Sequence, residues 1–165
     1  MKLPTLLPTM ALLAFLTFSC SSESIEDDIE QSIEETFIPD VKEIEIEILE
    51  LINAHRISVD LQPLEALDII KGVAFGHTDF MIEEGQITHA NFFQRQASLE
   101  RNADAVRVGE NLAFAFTNAE SVVRAWLNSE GHRENIEDDE YTHFDISAEK
   151  DENGRWYYTN IFIRR

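Results

Sequence analysis

Residues 141–163 read YTHFDISAEKDENGRWYYTNIFI, and the fold turns on them. Thr142, Phe144, Ile146 and Ala148 alternate with His143, Asp145, Ser147 and Glu149, the period-two pattern of a strand. Asp151-Glu152-Asn153-Gly154 is a turn signal, because Asn-Gly tolerates positive φ, and Trp156 to Ile163 then supplies the return strand of a hairpin. Working outward, residues 107–116, RVGENLAFAF, read as a loop followed by a third strand. Upstream the periods are helical. VKEIEIEILELINAHR (41–56) alternates at its start, but its length, its glutamates and its lack of Gly and Pro predict a helix. Pro63 suits the first position of a second helix, which carries Leu64, Leu67, Ile70, Val73, Ala74, His77 and Met81 and stops at Gly85. A short helix is expected over Phe92 to Asn102. Another is expected over Ala119 to Ser129, capped by Thr117 or Asn118, with Val122, Val123, Trp126 and Leu127 as its apolar face. Helices first and strands late predict an α+β domain, its helices packed on a small antiparallel sheet.

The chain has 165 residues, of which 44 % are hydrophobic, enough for one packed domain. Its 32 acids against 13 Lys and Arg give a formal charge of -19. This charge argues against a nucleic-acid partner, since phosphate binding needs clustered cations, and against electrostatic docking on anionic lipid. No G-x-G-x-x-G or Walker loop is present. The single cysteine, Cys20, allows no internal disulfide.

Residues 1–20, MKLPTLLPTMALLAFLTFSC, carry Lys2 and then an apolar run from Leu6 to Phe18. That run is too short to span a bilayer and has the length of a signal-peptide core. Its end, Thr17-Phe18-Ser19-Cys20, resembles a bacterial lipobox, with Thr17 where many carry Leu. The resemblance implies export and acylation of Cys20, so the membrane is reached through the acyl anchor alone. Residues 21–42 read as an acidic tether, in which Ile25, Ile29, Ile33 and Phe37 recur at a helical spacing that Pro39 ends, and residues 43–165 as the folded domain.

Five histidines are present, and none sits in an H-E-x-x-H motif. His55 and His77 lie on apolar helix stripes and read as hydrogen-bonded structural residues; His143 falls on the polar side of a strand. His89 follows the Gly85 stop and lies on a loop, where function concentrates. His132 follows Gly131 and reads as the C-terminal residue of a helix, complementing its dipole. Glu110 stands just before the apolar LAFAF, a place that suits a charge only if backbone donors or a cation satisfy it. Ser129 and His132 are three apart, so a Ser-His dyad can be drawn, although no G-x-S-x-G elbow accompanies it. The acidic run 137–140 lacks an EF-hand pattern and reads as a solvated loop with weak Ca²⁺ attraction.

LINAHR (51–56), THANFFQR (88–95), GENLAFAF (109–116), VVRAWLNSEGHRENI (122–136) and YTHFDISAE followed by YYTNIFI resemble, in order, the CAP superfamily (cysteine-rich secretory, antigen 5 and pathogenesis-related proteins) in its bacterial SCP-like branch. The resemblance implies an α-β-α sandwich with a central cleft formed by His89, Glu110 and His132, with Arg95, Asn111 and Ser129 in support. It also implies that Zn²⁺ or another divalent metal is held there. Two departures stand out: Ser129 occupies the position of a second family glutamate, for which Glu134 is a nearby substitute, and the disulfides of eukaryotic members are missing.

These readings lead to a non-enzymatic binding module, exported and lipid-anchored in the cell envelope at the outer membrane or cell surface. Its cleft would take a small-molecule, lipid or envelope ligand. Two alternatives remain: a metal-dependent hydrolase acting on peptide or cell-wall material, and an adhesion or interaction protein whose cleft is inert.

Overall fold

The computed structural model describes residues 37–165. The leader, Cys20 and residues 21–36 of the acidic segment lie outside the described residues. The order is α1 (Glu43–Ser58), β1 (Glu65–Ala66), α2 (Asp68–Glu84), α3 (Phe92–Asn102), β2 (Arg107–Phe114), α4 (Ala119–Asn128), α5 (Glu130–Glu137), β3 (His143–Lys150) and β4 (Trp156–Arg164). The expected α+β class holds, and three differences from the sequence reading have local causes.

The second helix starts at Asp68, not at Pro63. Glu65 and Ala66 instead pair in parallel with His143 and Phe144, which makes the four-stranded sheet mixed, in the order β1-β3-β4-β2. The helix expected over Ala119 to Ser129 is α4, and a further helix that the sequence reading did not place, α5, follows it. Ser129 lies extended at φ -101° and ψ 120°, closing α4 and preceding α5. His132 therefore stands in the first turn of α5, where the helix dipole disfavours a cation, the reverse of the predicted C-terminal placement. Gly85 ends α2 as expected, in the left-handed conformation at φ 65°.

β4 is the central strand, antiparallel to both β3 and β2. Its alternation divides the core in two, because successive side chains point to opposite faces. Tyr158 and Phe162, with Phe144, Ile146 and Ala148 of β3, meet Ile48 and Ile52 of α1, Val122 and Trp126 of α4, and Ile136 of α5. Ile161 and Ile163 face the other way, onto Ile70 and Ala74 of α2 and Leu99 of α3. The register puts Glu110 opposite Ile161 and Asn111 opposite Asn160, so two consecutive residues of β2 address opposite helix layers. The open edge of β2 is closed by side chains: Trp126 Nε1 donates to Leu112 O at 2.9 Å, and Asn135 Nδ2 to Glu110 O at 3.3 Å.

Residues 37–42, read as the end of the tether, lie against this body. Phe37 packs on Phe75 of α2, Pro39 is buried and Lys42 pairs with Glu149. Charges bind the layers as well. Glu45 of α1 is buried and accepts from Lys71 Nζ of α2 at 2.7 Å, Ala148 N of β3 at 2.8 Å and Lys42 N at 2.7 Å. Arg56, also buried, donates to the carbonyls of Gln62, Ile136 and Asp138. The acidic run 137–140 is a paired segment instead of a solvated loop: His55 meets Glu137, Arg107 meets Asp138 and Glu140, and Arg164 meets Glu140.

Asp145 is buried beside this network, and burial pushes its carboxyl up to about 6; amide bonds from Ile146 and Leu67 and the charge on Lys71 oppose the rise, and Glu45 adds to it. An acid with a raised folded pKa holds its proton more tightly when native. Its contribution to stability is full below the unfolded value near 3.8 and is lost as pH rises through 6. Denaturant unfolding of the wild type and Asp145→Asn at pH 4, 5, 6 and 7 should therefore show the variant gaining on the wild type by up to about 3 kcal/mol across that window. The histidines, common to both proteins, cancel in the difference. A gap that stays constant with pH would contradict this assignment.

Candidate functional site

The turn between α2 and α3 presents the first imidazole. Thr88 Oγ1 accepts from Ala90 N, and Asn91 turns the chain into α3 at φ 61°, a conformation asparagine tolerates better than most residues. Arg95, one turn into α3, holds both the loop and the sheet. Its Nη1 donates to Ala90 O at 2.8 Å, while Nε and Nη2 clasp Glu110 Oε2 and Oε1, each at 2.8 Å. This is the paired fork geometry that guanidinium and carboxylate favour. His89 Nδ1 meets Glu110 Oε1 at 2.7 Å. The Glu110 side chain is only 2 % exposed, whereas that of His89 is 57 % exposed. A fixed, charge-compensated carboxylate thus orients an imidazole whose Nε2 side opens to solvent.

A third histidine belongs to this cluster and was not among the sequence candidates. His77 of α2 is buried, its Nε2 is 2.8 Å from Thr88 O, and Glu110 Oε1 lies 3.9 Å away. Burial lowers its pKa, with the charges of Arg95 and His89 acting in the same direction and Glu110 against them. The signal present in the sequence was its position on α2, two turns before the Gly85 stop.

His132 arrives from the other helix layer. Asn111 Nδ2 donates to His132 O at 2.9 Å, and Asn111 Oδ1 accepts from Asn135 Nδ2 at 2.8 Å. Asn135, three residues after His132, thereby ties α5 to β2, a role the quoted motif contained without revealing. The pKa of His132 is lowered, first by burial and then by the charge on His89. The ring of His132 makes no hydrogen bond or ion pair with Glu110 among the described residues. Ser129 is extended between two helices and makes no side-chain bond to His132, so the structure assembles no Ser-His dyad. Glu134 is exposed.

The donor set decides how a divalent ion would sit. Three acceptor positions of Glu110 are taken by Arg95 and His89, and among the described residues no three of His, Cys, Asp and Glu are gathered to hold a metal. The arrangement does not fit direct ligation by His89, Glu110 and His132 together. It gives Glu110 the part of an orienting carboxylate behind an imidazole.

Fold and cluster together define a three-layer α-β-α domain with a His-Glu-Arg site at one edge of its sheet. The chain belongs to the cysteine-rich secretory protein family (CAP), whose pattern matches residues 49–162. A membrane protein of Bacillus subtilis, YlbC, described as uncharacterized, is 35 % identical over 126 residues; the match takes in 73 % of this chain but 34 % of that protein, so the chain spans about a third of its length. Among solved structures, an outer surface protein of Borrelia burgdorferi superposes with a TM-score of 0.69 at 25 % identity, covering 77 % of this chain and 96 % of that one. An extracellular SCP-domain protein of Bacillus anthracis gives 0.65 at 27 % identity, covering 73 % of this chain and 40 % of that one. Among the described residues no helix is long and apolar enough to cross a membrane.

Proposed function

We propose that the protein is an exported binding module, held in the cell envelope by acyl chains on Cys20, whose cleft between His89 and His132 captures a small or lipid ligand without chemical turnover. One observation supports this above the others: both oxygens of Glu110 are bound by Arg95, His89 or both. A carboxylate so engaged is a poor general base and a good anchor. What reaches solvent is an oriented imidazole, and the half-buried His132 of α5 would complete the proposed cleft. The relatives described as an outer surface protein and an extracellular protein are consistent with display outside the cell.

The hydrolase reading needs a metal-bound water, whose pKa the ion would lower toward about 7. Glu110, the carboxylate of the cluster, is already engaged by Arg95 and His89 and is not free to act on such a water, which is why the binding reading is preferred. The test screens lipids and envelope fragments against the wild type, His89→Ala and His132→Ala. At least a tenfold loss of affinity is expected in each variant, with melting temperatures close to the wild type, since both rings are at least partly exposed. Equal binding by all three proteins removes the cleft from the account, and hydrolysis elicited by added Zn²⁺ would favour the enzyme.

A further inference from the structure

The EIEIEI run of α1 (43–48) sends its isoleucines to two faces of the helix. Ile48 is fully buried and, with Ile52, turns to the core. Ile46 does not: it is 46 % exposed, and Ile57, further along α1, is 60 % exposed. Ile46, Leu49, Asn53 and Ile57 recur at steps of three and four, so they form one stripe of the helix. That stripe is one wall of a groove of about 540 Å³, closed by Val41, by Ala66 of β1 and by Phe144 of β3. The groove shares no residue with the cluster around Glu110. Apolar surface gathered in this way marks a contact with another molecule.

Backbone, length and charge decide what fits. The backbone beside the groove is already bonded by side chains. Asn53 accepts from Leu64 N at 2.8 Å and donates to Leu64 O at 2.9 Å, while Asp145 and Glu45 hold the amides of Ile146 and Ala148. An added strand would need such groups, whereas a helix satisfies its own backbone and docks through side chains. The stripe from Ile46 to Ile57 is about 17 Å long at the helical rise, or about three turns. The charged lining residues that reach solvent are Glu50 and Asp68. Asp145 and Lys71 are buried, and Lys71 is paired with Glu45. A second copy of this chain, with its formal charge of -19, would set acid against acid, and an anionic lipid would meet the same repulsion.

We propose that this groove docks a partner of a different kind from the small or lipid ligand of the His89 cleft, a cationic amphipathic helix of about three turns. Its apolar face lies on Ile46, Leu49 and Ile57, and its Lys or Arg side chains reach Glu50 and Asp68.

The probe is a synthetic Leu-Lys peptide of about four turns with leucine along one face, titrated into the full chain at physiological salt. Its controls are a scrambled peptide of the same composition and a Leu-Glu peptide with the same apolar face. The patterned Leu-Lys peptide binds roughly tenfold tighter than either control, and its NMR shift changes centre on α1 and β1. Ile46→Gln combined with Ile57→Gln brings the patterned and scrambled peptides to within about twofold of each other, and Glu50→Lys weakens the patterned one roughly fivefold. All three positions are exposed, so these variants melt close to the wild type. Equal affinity for the patterned and scrambled peptides, a Leu-Glu peptide that binds as well, or variants that titrate like the wild type each overturns the proposal. So does a wild-type dimer in ultracentrifugation that the paired glutamine substitutions dissolve, which would assign the groove to a second copy.

Discussion

Gly109→Ala lowers the melting temperature by roughly 10 °C, the consequence of about 3 kcal/mol of overpacking. A Cβ at this position would stand 2.5 Å from Tyr141 Oη, 2.7 Å from Asn135 Oδ1 and 3.0 Å from Tyr141 Cζ. None of these neighbours is free to retreat. Tyr141 is buried against Phe162, and Asn135 holds both the Asn111 side chain and the Glu110 carbonyl. The substitution therefore does more than destabilise. It pushes on the ties that fix α5 to β2, so amide protection around His132 should fall before the rest of the domain opens. Gly131→Ala is the matched control, since a Cβ there meets nothing within 4 Å and alanine favours the helix. Equal thermal melts for the two variants would contradict the crowding at Gly109.

Glu45→Ala is the second large effect. It strands the ammonium of Lys71 in the interior and removes the acceptor for the Ala148 amide. Breaking a buried pair from one side costs about 3–5 kcal/mol, because the remaining charge has no compensation. Glu45→Met combined with Lys71→Met removes both charges and should recover most of the loss, leaving chiefly the unpaired amides of Ala148 and Lys42. The check is a double-mutant cycle in chemical denaturant. A double variant no more stable than Glu45→Ala would mean that the pair itself, and not the isolation of one partner, carries the stability.

Much of the fold was legible because its signals are local. The Asn153-Gly154 turn, the apolar period of α2, the Gly85 stop and the Asn118 cap each need only a few neighbouring residues, and Asn118 does accept from Ser121 N at 2.9 Å. Where the reading failed, tertiary contacts had overridden local preference. Pro63 offers a good helix start, but Glu65 and Ala66 are drawn into a two-residue parallel pair with β3. Gly131 looked like a terminator, yet it is an interior residue of α5, because the chain breaks two residues earlier at Ser129. Glu45 lies in an alternating EIEIEI run whose period says nothing of a lysine 26 positions away.

The pairing of Glu110 was legible for a different reason. Glu110 is a charge placed against an apolar strand, and such a residue needs a partner; the strand direction then separates Glu110 from Asn111 and sends them to different layers. Which cation supplies the compensation is a question of three-dimensional approach. The two-pronged clasp by Arg95 and the nearness of His77 emerged only from coordinates.

The closed edge of β2 has a bearing on life at high local density. With Leu112 O and Glu110 O already satisfied by Trp126 and Asn135, and with β3 on the far side covered by β1 at His143 and Phe144 and its Ile146 and Ala148 amides held by the Asp145 and Glu45 carboxylates, one copy offers its neighbour little backbone to zip onto. Many copies crowded side by side on one surface would thus stay individual molecules and not fuse into fibrils.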